Sequence, residues 1–160
     1  MSIKNKPNYV LALLLILVLF EMMCCNRPRS EKAQGMDGML ITKAGSYKID
    51  RLQYEIHVTV DANNIFHYAI VDDSRRKIIG STESPSVFQR WCLFWDEKDR
   101  FWVWSSDIGG FVWEKDLSGI YREHDIIEGS EYIKEMPPKV FEFLPSSVKK
   151  KWNAYRDVIG

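Results

Sequence analysis

Residues 90–105 read RWCLFWDEKDRFWVWS. Two apolar runs, residues 90–95 and 100–105, flank Asp96, Glu97, Lys98 and Asp99, which suit a tight loop. A strand wetted on one side alternates apolar and polar residues, because successive side chains point to opposite faces. Neither run alternates, so both faces of each must be covered. The pattern predicts two adjacent central strands with a further layer of structure above and below them. Trp91, Leu93 and Trp95 share one face of the first strand, while Trp102 and Trp104 oppose Val103 on the second.

The flanking sequence supplies those layers. Residues 52–60, LQYEIHVTV, alternate with period two and predict a strand with one wet face. Asp61, Ala62, Asn63 and Asn64 can turn the chain into a second strand over 65–71, making a hairpin. A turn at 72–76 leads to a short strand at 77–82, and Ser84-Pro85-Ser86 separates these from the aromatic pair. Beyond it, residues 106–110 turn into a strand at 111–114, and a last strand is placed near 119–122. At Met136-Pro137-Pro138 the pattern changes, since proline suits the first turn of a helix but not its interior. Residues 139–144 predict a short helix. Ser146 or Ser147 can cap a second one, on which Val148, Trp152, Tyr155 and Ile159 form an apolar stripe. The expected fold is mainly β: an antiparallel meander or small sandwich of about six to eight strands, with a C-terminal helical segment packed on the sheet. No internal repeat is evident. Residues 95–110 look like part of a β-propeller blade, but about four to eight blades are needed, so this is hairpin chemistry and not membership.

The chain has 160 residues, 46% of them hydrophobic, with 22 basic and 22 acidic side chains. That excludes collagen-like, low-complexity and wholly disordered classes. The charge balance argues against a nucleic-acid partner, which requires clustered Lys and Arg. Length favours one domain.

Lys4 and Lys6 precede an apolar run over residues 9–20, a signal-peptide pattern. As a helix the run would rise only about 18 Å, against a bilayer core of about 30 Å. With Met22-Met23-Cys24-Cys25 closing it, the segment resembles the signal of bacterial lipoproteins, whose lipobox cysteine is acylated and becomes the new N-terminus. The resemblance implies cleavage after residue 24 and lipid on Cys25, with Cys24 the alternative. Residues 25–38 then form a polar tether, 39–135 the β domain and 136–160 its helical tail. Met22 and Cys24 stand where the family prefers Leu and a small residue. The resemblance places the domain in the cell envelope, facing the periplasm or the exterior, held to the membrane by lipid. The competing reading is an uncleaved anchor. Cys92 is then the only cysteine of the soluble part, so it has no partner for an internal disulfide. It reads as a small buried hydrophobe.

No Cys/His spacing suggests zinc, and no phosphate loop or dinucleotide fingerprint appears, so neither metal nor cofactor is expected. The Asp-rich turns read as hairpin turns before calcium loops. His57 reads as a cross-strand partner and His67 as a hydrogen-bonded, half-buried side chain. His124, between Glu123 and Asp125, is the best acid–base candidate, with Asp107 the accompanying carboxylate. Tryptophan can stack on a ligand, but each of the six reads first as a core side chain, since a β domain without disulfides fills its interior with large side chains. Any exposed patch is expected at Trp102, Trp104 and Trp113 beside Asp107. The function these readings favour is a non-catalytic binding or structural module for a protein or glycan. The alternatives are a small envelope hydrolase using His124 and an immunity or inhibitor lipoprotein.

Overall fold

The computed structural model describes residues 38–81, 83–127 and 130–158, so the segment expected to be a signal, Cys25 and most of the stretch expected to be a tether lie outside the described residues. Nine strands are followed by three helices: β1 (Met39–Ile41), β2 (Gly45–Ile49), β3 (Tyr54–Val60), β4 (Phe66–Val71), β5 (Lys77–Gly80), β6 (Trp91–Trp95), β7 (Phe101–Ser105), β8 (Gly109–Lys115), β9 (Tyr121–Asp125), then α1 (Tyr132–Glu135), α2 (Pro138–Phe143) and α3 (Ser146–Val158). The sheets are antiparallel, in orders β2-β3-β4-β5 and β1-β6-β7-β8-β9. The mainly β fold with a C-terminal helical segment is the expected one. The count exceeds eight because β1 and β2 are short strands whose alternation is too brief to register. Helix also begins earlier than Met136, at Tyr132.

The two sheets pack face to face. Ile56 and Val58 of β3 and Phe66, Tyr68 and Ile70 of β4 join Leu93 and Trp95 of β6 and Phe101 and Val103 of β7 in one core. Phe66 stacks on Trp91 with ring centroids 4.3 Å apart, and the Trp113 indole N–H donates to the Tyr68 hydroxyl across the layers at 3.2 Å. A second core lies on the far side of the five-stranded sheet, where Cys92, Phe94, Trp102, Trp104 and Val112 meet Ile133, Val140, Leu144 and Trp152 of the helices. Hence every residue of β6 and β7 is buried, as their two apolar faces require. The layers run four-stranded sheet, five-stranded sheet, helices. No helix among the described residues covers the outer face of the four-stranded sheet.

One row of cross-strand partners runs Met39–Trp95–Phe101–Trp113 and fixes which turns share an end of the sandwich. Gly38, the β6–β7 loop and the β8–β9 loop lie beyond that row at one end. The Arg51–Asp99 ion pair and the Tyr54–Trp95 ring contact bring the β2–β3 connection to the same end. The opposite end carries the β3–β4 turn, the β5–β6 connection and the β7–β8 turn.

Candidate functional site

The aromatic residues proposed as a binding patch are inside the protein. Trp102 is 1% exposed and Trp104 3%, both under the helices. Trp113 is half-buried between the sheets. Trp91, Trp95 and Trp152 are also buried, so the six tryptophans form no exposed row. The physical reason is area: burying such a ring removes roughly 150–250 Å² from water, at about 25 cal/mol per Å². A domain with no disulfide among its described residues builds its stability from that gain.

His124 and Asp107 are not brought together. His124 sits opposite Val112 on β9, exposed, with its ring 5.5 Å from that of Tyr132 on the helical side. Asp107 turns the other way and is satisfied locally. It accepts the Ser105 hydroxyl, the Ser86 N–H at 3.0 Å and the Ile108 N–H at 3.1 Å. Burial works to raise its pKa, but these donors outweigh it and hold the carboxyl below the usual range. Asp107 therefore ties the β7–β8 turn to the β5–β6 connection, a structural duty that leaves no geometry for sharing a proton with His124.

The Asp-rich turns share one design. In each of four loops an aspartate (Asp61, Asp72, Asp96, Asp116) accepts N–H bonds from its own loop, and the residue three further on has positive φ. Asn64, Arg75 and Asp99 adopt φ 61°, and Gly119 φ 79°. The second carboxylate oxygen takes a side chain from within, or one residue before, the following strand: His67, Arg76, Arg100 or Arg122. Oxygens engaged this way are poor cation ligands, and no cluster suited to a metal ion occurs among the described residues. Three of these loops are legible as turns in the sequence. The fourth, Asp116 to Gly119, was signalled only by an aspartate three residues ahead of a glycine.

At Asp96 the design is buried. Arg100, 3% exposed, donates to Asp96 at 2.8 Å and to Glu135 of α1 at 2.5 Å. The Trp102 indole N–H reaches Asp96 at 2.7 Å, and the guanidinium lies 4.8 Å from the Trp102 ring centroid. Lys98 adds a 2.9 Å bond to Glu135, and the two cations hold that carboxyl below its usual range. This network fastens the helices to the central hairpin.

The uncovered face of the four-stranded sheet carries the remaining chemistry. Ser46 Oγ lies 3.0 Å from His57 Nδ1, whose Nε2 is 3.6 Å from Glu55, and Arg75 reaches the same carboxylate at 3.1 Å. Ser84 Oγ lies 3.0 Å from His67 Nδ1, whose Nε2 is 3.3 Å from Asp61. His57 is thus cross-strand paired and His67 hydrogen-bonded and half-buried. The two rings sit diagonally, with Ala69 opposite His57 and Thr59 opposite His67. At one end of this face an open polar cleft of about 180 Å³ is lined by Lys48, Asp50, Gln53, Tyr54, Asp72 and Asp73 among others. Comparison with protein families, with curated proteins and with solved structures gives no match.

Proposed function

We propose that the protein is a membrane-tethered envelope lipoprotein whose sandwich is a non-catalytic binding module, and that the uncovered face of its four-stranded sheet meets a protein partner. The observation that carries this is the asymmetry of the two outer faces. One is sealed by three helices over an apolar core. The other presents Ser46, Glu55, His57, Thr59 and His67 from β2, β3 and β4 to solvent, with both histidines held in fixed orientations. Four strands about 4.8 Å apart, at about 3.3 Å per residue along each, give a flat patch of roughly 400 Å². That is about half of one partner's share of a standard interface, so the cleft beside it would supply part of the remainder. A protein fits better than a glycan, because sugars are bound by exposed aromatic rings and the tryptophans here are committed to the cores.

The two Ser–His–carboxylate chains keep a hydrolase as the second reading. Acyl transfer also needs donors preorganised around the developing oxyanion. Ser46 and His57 stand instead on an open strand face, which favours the binding reading.

Intact mass of the mature protein from membranes tests the tether: cleavage after residue 24 with a diacylglyceryl group on Cys25 is expected, and an unmodified soluble chain would refute it. A photo-crosslinking residue at Thr59 is expected to give a discrete adduct in envelopes of the native cell, and one at Lys150 on α3 is not. Equal labelling from both, or none from Thr59, would refute the sheet-face site.

A further inference from the structure

Among the turn tips at the Gly38 end of the sandwich, one is apolar. The β6–β7 tip carries Glu97 and Lys98 and the β4–β5 tip Asp73 and Ser74, whereas the β8–β9 tip carries Leu117. Leu117 has an exposure of 111%, the full value for a free side chain, and Ile120 beside it is 53% exposed. One exposed leucine is ordinary on a protein surface. This one is held on a rigid mount, because Asp116 accepts the Ser118 and Ile120 N–H groups, the Ser118 hydroxyl and the Arg122 guanidinium. Lys115 and Arg122 flank it, and with Arg122 paired to Asp116 the tip keeps one cation, Lys115, in excess for phosphate headgroups.

The end on which this tip lies is the end at which the chain arrives. Met39 is in the same row as Trp113, so the tip projects about 10 Å past Met39, three residues at about 3.3 Å each. Ahead of Gly38 stand 37 residues that include the apolar run at 9–20. With lipid on Cys25, only twelve residues, 26 to 37, separate it from Gly38, so the Gly38 end can stand no more than about 45 Å from the acylated residue. A second, weak contact made by a tethered domain acts at high effective concentration and needs little affinity of its own.

Resting on the tether reading above, we infer that the Leu117–Ile120 tip dips into the lipid surface and sets the domain end-on to the membrane. The opposite end, with Phe88 79% exposed, then points away from the bilayer.

The test uses the full chain, purified from membranes and reconstituted into vesicles of phosphatidylethanolamine and phosphatidylglycerol. An environment-sensitive fluorophore is attached through Leu117→Cys or, as the far-end comparison, Phe88→Cys, with the parent protein as the labelling control; Cys92 is 1% exposed and so shielded from reagent. The expected result is a blue shift and quenching by nitroxide-bearing lipid at position 117 and water-like emission at 88. Water-like emission at 117 from vesicle-bound protein would overturn the tip contact and leave the tether standing. Blue shifts at both positions would overturn the end-on orientation. A protein that stays soluble, with an unmodified mass, would remove the tether and the tip contact together.

Discussion

At the scale of single residues, Asp96 and Cys92 carry the clearest consequences. Asp96 holds two loop N–H groups, the Arg100 guanidinium and the Trp102 indole in a buried setting. Asp96→Ala leaves the buried Arg100 with Glu135 as its remaining carboxylate and strands three further donors, the Lys98 and Arg100 N–H groups and the Trp102 indole, and is expected to cost about 3 kcal/mol in urea unfolding. Arg100→Met should cost less, because Asp96 keeps its three N–H donors. If the order were reversed, the aspartate would not be the organising group. Burial pushes the Cys92 thiol up to about 12, so Cys92 should be inert to a thiol reagent at neutral pH and react only on unfolding, as peptide mapping of the labelled chain would read. Rapid modification of Cys92 in the folded chain would contradict its packing under the helices. The sequence foretold this thiol's burial from its apolar neighbours. It likewise foretold covered faces for Trp102 and Trp104 from a doubly apolar strand, without saying that the helices are what covers them.

At the scale of elements, the four aspartate loops offer a comparison within one molecule. Left-handed backbone costs most residues about 1–2 kcal/mol and asparagine or aspartate less. Gly119 has open space around its α-carbon, so only backbone strain opposes a side chain there. Gly119→Asn should therefore change stability by less than about 1 kcal/mol, as Asn64 in the sister loop indicates. Gly119→Val should cost more, and thermal unfolding of both variants decides. Strands were legible where alternation or continuous apolarity ran on, as in β3, β6 and β7. The five-residue β2 and three-residue β1 were not, because their patterns are brief and β1 pairs with β6, far along the chain. The candidate site suffered from the same limit: His57 and His67 were readable as paired side chains, but their partners Ser46 and Ser84 come from other segments.

At the scale of the whole molecule, acid should find a common weakness. Loop N–H donors hold Asp61 and Asp72 below their usual pKa, the Ser118 hydroxyl and Ile120 N–H do the same for Asp116, and Lys98 and Arg100 for Glu135. A carboxylate whose folded pKa is depressed stabilises the fold above its unfolded pKa and ceases to do so as pH falls through the folded one. With unfolded values near 3.8 for Asp and 4.5 for Glu, the urea midpoint should be flat from neutrality to about pH 5 and fall steadily below it. A midpoint that held steady to pH 3 would mean that these loops are not coupled to global unfolding.

The position of β1 gives the domain a mechanical character. It begins one residue after Gly38, pairs with β6 over Met39, Leu40 and Ile41, and lies at the sheet's edge. Tension applied through the preceding chain along the strand axis would load the three pairs with β6 together, in shear. Such a strand yields at low force, while β6 to β9 stay clamped between two cores. Pulled through Gly38, the domain would give up one short strand before β6 to β9 separate.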